Sequence, residues 1–291
     1  MKQAILITCY KNLHQIIEII RFFDENFTFY IHIDKKSNLD LSSLFTLGRS
    51  VHIYSEYAIN WGGHNHVKAI LHLAEQALSD KENNYFHFIS GEDFPIKPLS
   101  YFKERCDLSK DHLDFEKIPR HNWEGNGGRD RVDYYNLYDK YNAKNLSGNL
   151  KIQQLKNYQI KLNRKRPYPA CLPQLYGGSS WWSLTRETLA YVIEYSYQQP
   201  QFLKRMEYTF ASDEIYFQTI IMNSPYATNV VNDNLRYIDW QSCRGGNPAF
   251  LDSSDFSDAI LSNKLFARKL HYPTVLMLNL LLNKIEGYYI V

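Results

Sequence analysis

The segment TFASDEIYFQTII, residues 209–221, places two adjacent carboxylates, Asp213 and Glu214, where an apolar helix begins. Two uses of such a pair are open. Ser212 can serve as a helix N-cap, its hydroxyl accepting a free backbone N–H. Asp213 and Glu214 would then sit where the helix dipole favours negative charge, at about 0.3–1 kcal/mol each. Alternatively, one of them is a general base facing a cleft. Asp34 in HIDKKS follows a strand-like run and either starts a turn or hydrogen-bonds a ribose or base edge. Glu92 and Asp93 in SGEDFPIKP follow another such run, where they either cap the turn before Pro95 or ligate a hard cation. No D-x-D follows a strand, which argues against a metal site. His64 and His66 are two residues apart and do not share a helix face, so a metal site there is disfavoured too. Arg244 in SCRGGNP, with Arg268 and Lys269 in NKLFARKLH, forms a basic group. It is either plain surface charge or a clamp for a diphosphate leaving group.

The elements that must position these residues alternate over the first hundred positions. Strands are expected at Ala4–Thr8, Phe27–Ile33, Val51–Tyr54 and Tyr85–Ile89, with helices at Leu13–Phe23 and His66–Leu78. Continuous apolar strands separated by helices predict an α/β fold with a mainly parallel sheet covered on both faces. Ligands of such sheets bind beyond the carboxyl ends of the strands, which here are ITCYKN, HIDKKS, YAINWGG and SGEDFPIKP. Residues 119–149 read as a long loop region. Leu150–Arg166 holds six basic residues and no acid, with a partial helical stripe at Ile152, Leu155 and Leu162. That run is either a solvated helix or a contact for an anionic membrane surface. YGGSSWWSLT reads as a strand with a glycine-marked bend, followed by a helix at Arg186–Tyr195.

Composition narrows the class. The 291 residues suit one large domain or two small ones, and the net charge of +2 implies no nucleic-acid partner. The 23 Tyr, 16 Phe and 5 Trp are compatible with sugar binding, since aromatic faces pack on sugar C–H surfaces. Cys9, Cys106, Cys171 and Cys243 show no CxxC spacing, so neither a disulfide framework nor a zinc site is expected, and a reducing compartment is the default. The N-terminus reads as a buried strand, and Val275–Leu282 is too short to span a bilayer. P-loop, dinucleotide-binding and G-x-S-x-G signatures are absent.

SGEDFPIK, YGGSSWWSLTRE, SDEIYFQTII, LRYIDW and NKLFARKL, in this order, resemble the core-2/I-branching β-1,6-N-acetylglucosaminyltransferase family, which also holds peptide O-xylosyltransferases and bacterial members. The chain looks like a bacterial-type member, with the resemblance running from about residue 3 to 270. It implies a GT-A (Rossmann-like) glycosyltransferase fold as one domain over 1–291: a nucleotide-binding half at 1–110, an acceptor and catalytic half at 111–270, and a helical tail at 271–291. It further implies inverting, metal-independent transfer of a sugar, N-acetylglucosamine first, from a UDP-sugar to a glycan or lipid-linked oligosaccharide. Glu214 becomes the catalytic base and Asp213 the residue that orients it. Thr8, Tyr10, Lys11, Asp34 and Asp93 fall beside the donor. Gly178, Ser179, Ser180, Trp181, Asp213 and Trp240 border the acceptor. Lys269 matches the diphosphate lysine. The family's accompanying arginine aligns with Gly246, leaving Arg244 or Arg268 to replace it. No cofactor or metal is expected. A cytoplasmic location is expected, with peripheral membrane contact through residues 150–166 and a role in surface polysaccharide synthesis. The rival readings are a metal-dependent GT-A transferase and a non-catalytic carbohydrate-binding protein.

Overall fold

The computed structural model describes residues 2–47, 50–104, 107–242 and 244–289. Cys106 and Cys243 lie outside the described residues. Cys9 is a buried free thiol, pushed up to about 12 by burial, and Cys171 is free and exposed.

Seven strands form the central sheet: β1 (Lys2–Cys9), β2 (Phe27–Ile33), β3 (Val51–Tyr54), β4 (Asn83–Ser90), β6 (Asp111–Leu113), β9 (Trp182–Thr185) and β10 (Val230–Asn232). Their order is β10-β6-β9-β4-β1-β2-β3. All run in one direction except β9, which is antiparallel to both β4 and β6. The mainly parallel α/β sheet predicted from the apolar strands is therefore present. β1 shows why those strands lack alternation. Ala4 and Leu6 pack on one face with the Asn65–Ser79 helix; Ile5, Ile7 and Cys9 pack on the other with the Leu13–Phe22 helix. Both faces are covered, so the central run Ala4–Ile7 is apolar without alternation, while the polar Gln3 and Thr8 lie toward the strand ends.

Strand order reverses at β1, between β2 and β4, and ligands of such sheets bind beyond the carboxyl ends at that switch point. A second sheet adjoins it: β5 (Asp93–Pro95), β11 (Arg236–Ile238) and β12 (Phe266–Arg268), in the order β11-β12-β5. Its register pairs Arg268 with Asp93, which brings Lys269 from late in the chain to the end of β4. The 176–185 segment is two strands rather than one bent one. β8 (Tyr176–Gly177) pairs with β7 (Glu116–Lys117), and β9 enters the main sheet.

The basic run also differs from expectation. Its helix spans Leu146–Lys161, and Arg166 lies outside it and buried. The Arg166 guanidinium donates to the Arg205 carbonyl at 2.5 Å and lies 4.9 Å from the centre of the Tyr135 ring. It is a packing residue, not part of a solvated charged face. No helix among the described residues is long and apolar enough to cross a membrane.

Candidate active site

Ser212–Glu214 is a single 3-10 turn, and the α-helix that follows is Tyr216–Met222. Ser212 is thus not the N-cap of an α-helix. The turn is entered through Ala211 in the left-handed region at φ 49°, and the Ser212 hydroxyl lies 3.0 Å from His64 Nδ1 instead. Both carboxylates precede the helix, so specific side chains rather than its dipole set their charge.

Asp213 is buried. Its Oδ2 lies 3.0 Å from His66 Nδ1 and accepts from the Ser180 hydroxyl at 2.6 Å. Burial pushes its pKa up, but His66 and Ser180 together outweigh that and hold it below the usual aspartate value. Glu214 faces the other way. Its Oε2 accepts from the Arg131 guanidinium at 2.5 Å, and Oε1 has no hydrogen-bond partner among the described residues. A third of its side-chain surface is open to solvent. Its pKa is raised by desolvation and by the charge of Asp213, against the pull of Arg131. One oxygen is therefore pinned while the other faces outward on a carboxylate of raised basicity, the arrangement that a general base requires. Arg131 is fixed in turn by aromatic rings, its guanidinium 3.7 Å from the centre of Trp123 and 5.3 Å from that of Phe210.

The loop leading into β9 is tied to this turn. Gly178 N–H donates to the Glu214 carbonyl at 2.8 Å, and Ser179 N–H donates to Asp114 at 3.0 Å. A Cβ on Gly178 would lie 1.7 Å from the Asp114 carbonyl, so only glycine allows the two loops to pass this closely. Asp114, Asn234, Arg236, Lys264 and Trp240 line an adjoining cleft of about 340 Å³. Trp240 is more than half exposed there, as an acceptor-stacking ring would be.

At the β1 end, Thr8 Oγ1 lies 3.1 Å from His66 Nε2. Lys11 pairs with Glu92 at 2.8 Å. Leu270 N–H donates to the Glu92 carbonyl at 2.9 Å, which fixes Lys269 nearby. Burial lowers the Lys269 pKa while Glu92 raises it and Arg268 and Lys11 lower it further. Lys144 lies 4.8 Å from the centre of the exposed Tyr10 ring. Lysines from three distant segments therefore converge where strand order reverses.

Other expected donor residues are otherwise engaged. Asp93 is fully buried; its carboxylate accepts from the Ser90 N–H and hydroxyl, and Arg268 Nε lies 3.5 Å away. Burial raises its pKa despite Arg268. It sits buried just beyond the end of β4, one register position from Lys269. Arg268 is buried with its guanidinium 4.1 Å from the centre of the Trp181 ring, and Trp181 is itself stacked on Phe88, so neither presents a free face. Arg244 binds Asp255 and Asp252, each at 2.7 Å, with Asp239 at 3.5 Å. Arg244 is held by three aspartates, whereas Arg268 and Lys11 each face a single acid, Asp93 at 3.5 Å and Glu92 at 2.8 Å. Asp34 accepts from Lys36 N–H at 3.0 Å and Ile59 N–H at 3.2 Å, the turn-forming use of an aspartate.

Arg131, Trp123 and Phe210 escape the sequence reading, which weighs His64 and His66 only as a metal pair, not as partners of Ser212 and Asp213. Arg131 lies 83 positions from Glu214, and no periodicity marks such a contact. The GNGG run was the available signal, because a Cβ on Gly128 would lie 2.3 Å from Trp123.

A mainly parallel, helix-covered sheet whose strand order reverses at β1 is a Rossmann-like layout of the GT-A type. The chain belongs to the Core-2/I-Branching enzyme family, whose model matches residues 4–263. It is similar to xylosyltransferase sqv-6 of Caenorhabditis briggsae, at 24% identity over 75% of this chain and 26% of that protein. It is also similar to xylosyltransferase 1 of Rattus norvegicus, at 24% identity over 73% of this chain and 24% of that protein. The chain thus spans about a quarter of the length of these curated relatives. Mouse xyloside xylosyltransferase 1 in its apo form aligns over 94% of this chain and 98% of its own, with 14% identity and a TM-score of 0.37.

Proposed function

We propose that the chain is an inverting, metal-independent transferase that moves a sugar from a UDP-sugar to a glycan hydroxyl. The observation that carries the reading is Glu214, with one oxygen held by Arg131 and the other unpartnered among the described residues. Glu214 Oε1 takes the proton of the acceptor hydroxyl. The acceptor oxygen attacks the anomeric carbon, the bond to UDP breaks on the opposite face, and the configuration inverts. Lys11 and Lys269 neutralise the departing diphosphate, each such preorganised donor contributing roughly 3–4 kcal/mol at most. Metal independence draws its support from the fate of Glu92 and Asp93, which pair with Lys11 and with Ser90 and Arg268.

N-acetylglucosamine is the sugar implied by the resemblance. Xylose is the second reading, favoured by the names of the relatives. UDP release is to be measured over a panel containing both donors, with and without EDTA. Release that survives chelation is expected. Loss under EDTA with recovery on adding Mn²⁺ would establish the metal-dependent alternative, and binding of a glycan with no UDP release would leave a carbohydrate-binding protein.

The acceptor belongs to a growing bacterial surface polysaccharide, carried on a lipid diphosphate at the cytoplasmic face of the membrane. Support comes from the Leu146–Lys161 helix, where Leu146, Leu150 and Tyr158 are exposed beside Lys151 and Lys161. Neutralising Lys151, Lys161 and Arg164 should abolish co-sedimentation with anionic vesicles; unchanged sedimentation would remove this part of the proposal.

A further inference from the structure

Two histidines grip two consecutive residues of the carboxylate turn. His64 Nδ1 is 3.0 Å from Ser212 Oγ, and His66 Nδ1 is 3.0 Å from Asp213 Oδ2. Their spacing of two, which disfavours a shared ligand, suits separate partners that are adjacent in sequence. The two rings differ in kind. His64 is buried, and burial lowers its pKa to about 3, so it stays neutral and packs the turn. His66 remains partly open, with 19% of its side-chain surface exposed, and both of its ring nitrogens are engaged.

From this geometry we infer that His66 is a positioning residue for transfer, tying the Asp213–Glu214 turn to the donor end of β1 through a hydroxyl–imidazole–carboxylate chain. The inference rests on the transferase reading above. An ionised Asp213 only accepts hydrogen bonds, so the proton facing it belongs to His66 Nδ1. Nε2 faces the Thr8 hydroxyl at 3.1 Å, which donates to it where Nε2 carries a lone pair and accepts from it where Nε2 is also protonated. Asp213 Oδ2 thus receives two donors, His66 and Ser180, the latter from the loop whose Gly178 binds the Glu214 carbonyl. Thr8 stands two and three positions before Tyr10 and Lys11.

The consequence is directional. Replacing His66 by an apolar residue leaves Asp213 with Ser180 alone, a buried charge short of a donor beside the base. The turn then relaxes and Glu214 is misaimed, while Lys11 and Lys269 stay in place. A loss of geometry at this scale reduces the chemical step and leaves donor binding intact.

The test compares His66→Leu with His66→Gln, whose amide N–H can restore the bond to Asp213. His66→Leu should lower kcat about 10-fold or more with the donor KM within about two-fold, and His66→Gln should recover most of that loss. Nitrogen-15 NMR of the intact wild-type chain should show His66 protonated at Nδ1. A ring protonated at Nε2 alone would overturn the inference, as would an unchanged kcat in His66→Leu. So would equal losses in both variants that track their melting temperatures, since that is a structural role only. If wild-type protein releases UDP from no donor, the transferase reading fails, and with it the catalytic purpose of His66; an Nδ1–H signal would then uphold only the hydrogen-bond chain.

Discussion

At the scale of single residues, the site depends on how Arg131 treats Glu214. The guanidinium holds Oε2 and lowers the carboxylate's pKa, while desolvation, the larger influence, and Asp213 raise it. The net direction is upward, so the base is still protonated at pH values where an ordinary glutamate has ionised. The acid limb of kcat/KM is expected above the usual glutamate pKa of 4.5, with activity rising as pH increases through it. Arg131→Ala removes the one strong opposing influence and should move that limb further up; a pH–rate profile of each protein checks the sign. Glu214→Gln keeps the size of the side chain but cannot take the proton, and should lower turnover about 100-fold or more. UDP affinity, measured by calorimetry, should hardly change in that variant.

At the scale of elements, the WGGHNH segment acts as a joint. Gly62 at φ +77° accepts from Ala211 N–H at 2.9 Å, and a Cβ there would meet Phe210 at 2.6 Å. A Cβ on Gly63 would lie 2.2 Å from the Asp139 carboxylate. That carboxylate accepts from His64 N–H at 2.9 Å and Asn65 N–H at 3.1 Å, capping the Asn65–Ser79 helix from a distant loop. Asp139→Ala should therefore destabilise the fold by roughly 1–2 kcal/mol in urea titration, as loss of a helix cap does. Activity should fall beyond the unfolded fraction, because both histidines ride on this helix start. The sequence reading placed the helix at His66–Leu78, close to its true bounds, since its apolar face follows a helical period. The cap stayed invisible because it comes from 74 positions away.

At the scale of the whole molecule, Arg236 joins the two sheets. It is fully buried, its pKa lowered by burial to about 10, and it donates to the Phe88 carbonyl at 2.8 Å, the Trp182 carbonyl at 2.9 Å and the Ser183 hydroxyl at 2.9 Å. Arg236→Met is expected to lower stability by about 3 kcal/mol or more, since each buried carbonyl left unpaired costs about 1–3 kcal/mol. Equilibrium denaturation checks it, and a change under about 1 kcal/mol would mean water replaces the guanidinium there.

The amino-acid order by itself determined the parallel core, because strands buried on both faces carry continuous apolar runs, and that property is local. It also placed Glu214 at the start of a helix and Lys11 beyond the first strand, where polar groups can meet a ligand, while Lys269 was singled out as the diphosphate lysine by the resemblance alone. What only the tertiary structure decided was how charge is shared among them. The carboxylate turn precedes its helix because Ala211 takes a left-handed conformation against the Gly62 carbonyl. Arg244 is held by aspartates, and Arg268 lies against Trp181 and Asp93. Arg131 and His66 reach the site from remote segments. Electrostatic partners are chosen by distance in space, and a linear pattern carries no record of that distance.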